Sequence, residues 1–217
     1  MRMSDRKVNN NFALYRKIIF DDGVIICPTD TVYGFFASSI SDIAAQKVFN
    51  IKKRDLSKKL IVNVASIEVL KKYIKTNDIE SLLINKFWPG QLSIIFNLSN
   101  FGYNRISHLV TGDDKSICVR IPNHPQTLEL LEAVGIPLIS TSVNLSGNTP
   151  INEYSDIVSS FKDNVDLILP NNFNLSNFTL PSTIIDARSE KDIKIMRVGS
   201  VSKIDIENTI NCHVEIS

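Results

Sequence analysis

Residues 26–36 read ICPTDTVYGFF. An apolar run ends there at Pro28, and Thr29 and Thr31 bracket Asp30 just before a Tyr-Gly pair. A plain turn explains this cluster, because Asp and Gly are common turn residues with local hydrogen bonds. A pocket for a small polar ligand also explains it, because ligands bind at the carboxyl ends of strands in open α/β sheets. The choice depends on the rest of the chain.

Composition sets broad limits on the function. The chain has 217 residues, 43% of them hydrophobic and 22% charged, which is ordinary for a globular protein of one large domain. The formal net charge is +1, so any anion site must come from local clustering. Three distant cysteines without CxxC spacing fit a reducing compartment and exclude the usual zinc frameworks. No membrane span or secretory signal is visible, so a cytoplasmic location is expected.

Strands and helices alternate along much of the chain, which predicts one α/β domain with a mixed sheet. The predicted strands are 23–29, 59–66, 91–98, 116–122, 136–142, 165–170, 182–187 and 194–198. The predicted helices are 41–54, 67–75, 79–87, 125–135 and 153–161. Residues 99–114 and 171–178 are expected to be loops, and 203–217 a tail without strong hydrophobic character.

Familiar nucleotide and hydrolase motifs are missing, including GxxxxGK[ST], GxGxxG after a strand, HExxH and GxSxG. Polar clusters instead lie near the ends of several predicted strands and helices. KKRDLSKK (52–59) holds five basic residues in eight, which indicates either a solvated helix end or an anion pocket. STSVNLSG (140–147) is either an ordinary loop or a cradle for carboxylate or phosphate.

Arg120 lies inside the otherwise apolar strand SICVRIP. Burying an arginine without a partner is costly, so Arg120 must either form a structural ion pair or face a cavity. His124, between Asn and Pro, is expected to be a turn residue, and Cys27 and Trp88 to be packing residues.

The clusters in their order resemble the threonylcarbamoyl-AMP synthase family, also called the YrdC or TsaC family. The matching segments are PTDTVYG, IKKR, KKLIVNV, WPGQLS, CVRIPNHP, STSVNLSG, STIID and MRVG. The resemblance runs from about residue 12 to residue 202 and implies that 1–217 is a single YrdC-like catalytic domain. The implied fold is a twisted sheet of mixed parallel and antiparallel strands, flanked by helices, with a large positively lined cavity.

The resemblance implies an L-threonylcarbamoyladenylate synthase, a nucleotidyltransferase. Such an enzyme forms threonylcarbamoyl-AMP and pyrophosphate from L-threonine, bicarbonate and ATP. The product would serve the t6A modification next to the anticodon of tRNA, through a downstream t6A transferase complex. Mg²⁺ is expected to accompany ATP, with no metal ligand on the protein itself. Weak contact with tRNA stays open, and no membrane partner is expected.

The hallmark of the family is a KxR motif followed far downstream by SxN. The residues predicted to be catalytic are therefore Lys52, Arg54, Ser142 and Asn144. The resemblance implies that L-threonine is bound by Thr31, Arg120, Ser142 and Ser182. It implies that ATP is bound by Lys52, Arg54, Lys58, Ser116, Asn144 and Arg197. In this reaction the nucleophile, an N-carboxylate of threonine, is already an anion, so no Ser-His or Cys-His pair is required.

Several positions depart from the family pattern, including PGQLS (89–93) in place of PGPLT. The usual Lys-Pro-Leu is Lys58-Lys59-Leu60, a frequent histidine is replaced by Asn63, and Val143 replaces the alanine of SANLSG. None of these changes removes a charge from the four predicted catalytic residues. Two other functions stay open: a YrdC-like carbamoyltransferase, and an RNA-binding YrdC-like module without synthase activity. A net charge of +1 gives the RNA-binding function little support.

Overall fold

The structure is a computed structural model that describes residues 3–111, 114–173 and 180–217, with side chains from residue 11 onward. The helices in this part are α1 (Met3–Phe20), α2 (Asp42–Lys52), α3 (Ile67–Leu70), α4 (Asp78–Phe87), α5 (Asn100–Arg105), α6 (His108–Thr111), α7 (Pro125–Val134), α8 (Tyr154–Phe161) and α9 (Lys203–Ile210). The strands are β1 (Ile25–Cys27), β2 (Gly34–Ser38), β3 (Ile61–Asn63), β4 (Ile74–Lys75), β5 (Leu92–Leu98), β6 (Ser116–Arg120), β7 (Leu138–Ser142), β8 (Leu167–Ile168), β9 (Thr183–Asp186), β10 (Lys194–Arg197) and β11 (Glu215–Ile216).

The strands of the described segments form one sheet in the order β11-β10-β9-β5-β6-β3-β7-β2-β1-β8, and β4 pairs with β5. The sheet contains parallel pairs, such as β3–β6 and β5–β9, and antiparallel pairs, such as β2–β7 and β5–β6. Neighbouring Phe35 and Phe36 of β2 enter two different buried clusters, because successive strand side chains point to opposite faces. The mixed sheet with apolar packing on both faces confirms the predicted fold class.

Local signals in the sequence account for several element boundaries. Ser41 caps α2, since its side chain accepts a hydrogen bond from the Ala44 amide, and Lys53 ends that helix in the left-handed region at φ 48°. Pro125 begins α7, and Gly135 ends it at φ 74°. The predicted strands and helices at these places are confirmed, with shorter bounds.

Several parts of the sequence prediction were wrong or incomplete. Strand β2 was missed because GFFAS begins with a glycine directly after the polar turn and contains no β-branched residue, so it lacks the signal that marked the equally buried β6. Helix α1 was also missed, although Tyr15 and Ile19 are buried beside α7 residues. Residues 67–75 are not one helix, because α3 ends at Leu70 and β4 follows it.

Residues 99–114 do not form the expected loop, because α5 and α6 occupy most of the part that is described. Ser99 caps α5 by accepting a hydrogen bond from the Gly102 amide at 3.0 Å. A Cβ atom at Gly102 would lie 2.0 Å from the carbonyl oxygen of Tyr73. Gly102 therefore allows α5 to pack closely against Tyr73, and it does not mark a loop.

The segment 203–217 is not the expected polar tail. It forms α9 and β11, and β11 extends the sheet by pairing in parallel with β10. Ile206, Ile210 and Val214 are buried in the larger core cluster. The first two are four residues apart on one helix face, which is sufficient for a short amphipathic helix. The expected loop 171–178 falls partly on residues 174–179, which lie outside the described residues.

Candidate active site

A cavity of about 280 Å³ opens at the centre of the sheet. Its walls come from the β1–β2 connection, the segment after α2, strands β3, β6 and β7, and the segments around β9 and β10. Among the described residues that line the cavity there is no acidic side chain, but there are four basic ones, namely Arg54, Lys59, Arg120 and Arg197. The described lining of this cavity therefore carries a net positive charge.

Most of the predicted site residues meet in this cavity although they are far apart in sequence. Seven of the ten line it: Thr31, Arg54, Arg120, Ser142, Asn144, Ser182 and Arg197. The structure places Lys52, Lys58 and Ser116 outside the lining. Lys58 is exposed, whereas Lys52 and Ser116 are buried behind the cavity wall. The roles of all ten in binding and catalysis stay predictions.

Lys52 lies beneath the loop that follows β7. Its ammonium donates to the backbone carbonyl of Ser142, to the carbonyl of Asn144 at 3.0 Å and to the Asn144 Oδ1 atom at 2.9 Å. Burial, with repulsion from Arg54 in addition, lowers the pKa of Lys52 to about 7. The three acceptors require all three protons of an ammonium, so the hydrogen bonding is complete only in the charged form. The KxR and SxN motifs are thus joined by direct contact.

The loop after β7 is itself closely hydrogen bonded. Ser142 Oγ donates to Asn144 Oδ1 at 2.6 Å, and Asn144 Nδ2 donates to the Asn148 carbonyl at 2.6 Å. The Ser146 amide donates to the Lys52 carbonyl at 2.8 Å. With so many of its polar groups paired, the loop presents the Ser142 and Asn144 side chains to the cavity in a fixed arrangement.

Arg54 and Arg197 are cavity cations that have no carboxylate partner within the described residues. The Arg54 guanidinium donates to the carbonyls of Lys58 at 3.1 Å and Lys59 at 2.7 Å. The Arg197 guanidinium donates to the Ser182 carbonyl at 2.9 and 3.1 Å and to Ser182 Oγ at 3.0 Å. Burial lowers the pKa of both arginines, and repulsion from Arg54 contributes to the lowering at Arg197. An anion between them would relieve this repulsion.

Arg120 both forms an ion pair and lines the cavity, so the two alternatives left by the sequence are both present. Its Nη1 atom lies 3.0 Å from Asp30 Oδ1, and the side chains are 4% and 3% exposed. Burial lowers the pKa of Arg120, and the Asp30 charge opposes that shift. Asp30, which belongs to the PTDTVYG segment, is thus the counter-charge of Arg120.

The remaining residues of that cluster form a turn. Thr29 Oγ1 donates to the Val32 carbonyl at 2.7 Å and accepts from the Thr31 amide at 3.1 Å. The Gln91 side chain donates to the Asp30 carbonyl at 2.6 Å and anchors the turn to the start of β5. The turn and pocket interpretations of PTDTVYG are compatible, because Thr29 and Thr31 also line the cavity.

Asn63 was noted in the sequence only as a departure from the family pattern. It ends β3, pairs in register with Arg120 of β6, and lines the cavity. Asn63 is fully buried, and neither Oδ1 nor Nδ2 of its side-chain amide is hydrogen bonded to any residue that the structure describes. Buried amides are normally satisfied, so Asn63 is available to a ligand. Lys59 and Asn148 also line the cavity and were not predicted to do so.

The described segments contain neither a metal-binding cluster nor a membrane-spanning helix. No three His, Cys, Asp or Glu side chains there are grouped so as to hold a metal ion. No helix in the same segments is long and apolar enough to cross a membrane.

Comparison with known proteins identifies the family. The model of the Sua5/YciO/YrdC family, described as telomere recombination, matches residues 17–199. The chain belongs to this family. A putative threonylcarbamoyl-AMP synthase of Methanocaldococcus jannaschii is 33% identical over 180 residues, which are 83% of this chain and 82% of that one. A threonylcarbamoyl-AMP synthase of Klebsiella pneumoniae is 32% identical over 154 residues, or 70% of this chain and 79% of that one.

The same fold occurs in solved structures of the Sua5/YciO/YrdC family. The structure of P. abyssi Sua5 complexed with L-threonine superposes with a TM-score of 0.85 at 26% identity. The match covers 95% of this chain and 58% of that chain, so this chain spans less than two thirds of P. abyssi Sua5. Membership confirms the resemblance that the sequence motifs indicated.

Proposed function

We propose that the protein is an L-threonylcarbamoyladenylate synthase, which forms threonylcarbamoyl-AMP and pyrophosphate from L-threonine, bicarbonate and ATP. The observation that carries this proposal is a cavity in which Arg54 and Arg197 have no carboxylate partner among the described residues, while hydroxyl and amide side chains form the other walls. The names of the Methanocaldococcus jannaschii and Klebsiella pneumoniae relatives, which are 33% and 32% identical to this chain, support the same reaction.

The proposed ATP half of the site is the part around Arg54 and Arg197. Two guanidinium groups held by carbonyl oxygens keep their full charge, and each presents a planar fork that suits phosphate oxygens. Asn144, fixed by Lys52, would add an amide contact. We propose that ATP enters with Mg²⁺ bound to its phosphates, since Mg²⁺ commonly reaches such sites through substrate phosphates.

The proposed threonine half is the part around Thr31, Ser142 and Ser182. Arg120 lies there with Asn63, so a carboxylate and a hydroxyl group would both find partners. Because Asp30 already neutralises Arg120, a bound carboxylate would add its negative charge to a neutral ion pair and not to an unpaired cation. This arrangement favours a zwitterionic amino acid over a simple anion.

The proposed chemistry needs positioning more than activation. The threonine amine attacks the carbon of CO₂ or bicarbonate and becomes an N-carboxylate, with loss of a proton or of water. A carboxylate oxygen then attacks the α-phosphorus, the bond between the α-phosphorus and the bridging oxygen breaks, and pyrophosphate leaves. Arg54 and Arg197 would stabilise the charge that develops on the phosphates. Such a reaction is that of a nucleotidyltransferase, and its product would pass to a t6A transferase complex.

The test is product formation by the purified protein. With L-threonine, Mg²⁺, ATP and labelled bicarbonate, we expect pyrophosphate release and a labelled threonylcarbamoyl adenylate detected by mass spectrometry. Omission of L-threonine should abolish both signals, and Arg54→Ala should depress them strongly while the protein remains folded. Binding of L-threonine and ATP without either product would contradict the proposal.

A further inference from the structure

Lys59 is a cavity cation whose charge is already compensated. It lines the same cavity as Arg54 and Arg197, yet its ammonium forms an ion pair with Asp114 Oδ1 and donates to Ser116 Oγ at 3.0 Å. Both side chains of the pair are partly exposed, at 40% for Lys59 and 46% for Asp114. A pair so exposed is weakly held, because water competes for both charges.

Asp114 has other partners that can hold it when Lys59 is absent. Its carboxylate accepts from the Ser116 hydroxyl at 2.8 Å and from the Ser116 amide at 3.2 Å. Arg188 Nη1 lies 3.5 Å from Asp114 Oδ2, and Arg188 is fixed by two hydrogen bonds to Asp186 at 2.7 and 2.9 Å. Although burial raises it, hydrogen bonds from Lys59 and Ser116 keep the pKa of Asp114 below its ordinary value. When Lys59 leaves, the contacts from Ser116 and Arg188 remain to hold the Asp114 carboxylate in place.

Lys59 by contrast is suited to change partners. The lysine ammonium is a compact charge at the end of a flexible side chain, whereas the arginine guanidinium is a rigid planar group whose hydrogen bonds have fixed directions. The backbone carbonyl of Lys59 accepts from Arg54 at 2.7 Å, so the Cα atom of Lys59 is fixed next to a cavity arginine while its ammonium can move. The described neighbours of Lys59 thus provide two resting partners, the Asp114 carboxylate and the Ser116 hydroxyl, and one open direction, the cavity.

We propose that Asp114 is a displaceable counter-ion of Lys59 in the cavity wall. An incoming polyphosphate replaces Asp114 as the partner of the Lys59 ammonium, and Asp114 keeps its contacts with Arg188 and Ser116. Lys59 is then a third phosphate ligand beside Arg54 and Arg197. Asp114 is a competitor that lowers the affinity for polyphosphates. The inference rests on the proposed function, because it takes ATP as the ligand.

The same geometry assigns a different role to Ser116. The sequence predicted that Ser116 contacts ATP, but its hydroxyl lies outside the cavity lining and is shared between Asp114 and Lys59. Ser116 would thus be a positioning residue that keeps Asp114 in place when Lys59 leaves. Lys58, which was also predicted to bind ATP, is exposed outside the lining, and its backbone carbonyl serves Arg54.

Binding measured without catalysis tests the inference. Titration calorimetry with Mg²⁺-ATP and with inorganic tripolyphosphate should show about tenfold weaker binding for Lys59→Met. Asp114→Asn, which keeps the acceptor oxygen for Ser116, should bind about threefold more tightly than wild type. In the double variant the Asp114→Asn gain should vanish, because no lysine remains to be released.

Two further lysine variants separate a local contact from the loss of one charge. Lys86→Met removes an exposed lysine from the last turn of α4 and should leave both affinities unchanged. Lys58→Met should lose less affinity than Lys59→Met. Circular dichroism should show that every variant is folded.

The possible results lead to different conclusions. Tight binding by Lys59→Met, or an Asp114→Asn gain that persists in the double variant, would overturn this inference and leave the proposed function intact. A larger loss for Lys58→Met than for Lys59→Met would assign the phosphate contact to Lys58 instead and also overturn it. Failure of the wild-type protein to bind either polyphosphate would overturn the proposed function and the inference together.

Discussion

Replacement of Lys52 by methionine should separate activity from stability. Methionine keeps an unbranched apolar stem of similar length but cannot donate to the three acceptors on Ser142 and Asn144. Asn144 Oδ1 would keep its hydrogen bond from Ser142 Oγ, so two backbone carbonyls lose their lysine donor. At about 1–3 kcal/mol for each buried acceptor left unsatisfied, the loss is about 2–6 kcal/mol.

The same substitution also removes an unfavourable contribution to the unfolding free energy, the cost of burying the Lys52 ammonium, and this contribution is of similar size. The pKa of Lys52 is lowered to about 7 from 10.5, chiefly by burial. At 1.36 kcal/mol for each pKa unit, burying the charged form costs on the order of 4 kcal/mol near neutral pH. A buried charge replaced by an apolar side chain is often neutral for stability. We therefore expect the unfolding free energy of Lys52→Met to lie within about 2 kcal/mol of wild type.

Activity should respond differently, because the substitution releases the loop that presents Ser142 and Asn144. We expect kcat/KM for pyrophosphate release to fall by at least about a hundredfold, the scale of a catalytic group displaced by about 1 Å. Urea unfolding and steady-state kinetics measure the two quantities, and amide hydrogen exchange at 143–148 should become faster. Lys47→Met, an exposed change on the same helix, is the matched control.

Two results would refute this reasoning. Near-normal activity would show that the loop holds its arrangement without Lys52. An unfolding free energy lowered by more than about 4 kcal/mol, with activity lost in proportion, would show that the buried ammonium stabilises the whole fold and has no separate role in the site.

Three further predictions concern stability. Asp30→Asn should lower the unfolding free energy by about 3–5 kcal/mol in urea titrations, because it leaves Arg120 buried without a counter-charge; a loss below about 1 kcal/mol would contradict this ion pair. Burial raises the pKa of Glu80 to about 7, so the folded state favours the protonated form. The unfolding free energy should therefore fall, by up to about 3 kcal/mol, as pH rises from 4.5 through 7. Glu80→Gln keeps an acceptor for the helix cap and should remove this part of the pH dependence. Gly102→Ala should lower the melting temperature by at least about 5 °C, since its Cβ atom would collide with the backbone oxygen of Tyr73, and an unchanged melting temperature would show that α5 can shift freely.

The sequence predicted the α/β class, most central strands and the segments that contribute to the cavity. Its patterns are local: apolar runs ended by Pro28, Gly135 or a polar cluster are sufficient to place β1, β7 and α7. It failed where a short strand without β-branched residues follows a polar turn, as in β2, and where a few apolar residues pack a polar segment onto the core, as in α9. These outcomes depend on neighbours that are distant in the chain.

The sequence by itself therefore determined which residue types gather at the site, and only the tertiary structure decided what each one does there. Lys53 in the left-handed region turns the chain between Lys52, buried beneath the loop, and Arg54, in the cavity. The parallel pairing of β3 with β6 places Asn63 beside Arg120. Motif spacing could not predict these positions, because a side chain's direction and partners follow from backbone turns and from strand pairing across the whole chain.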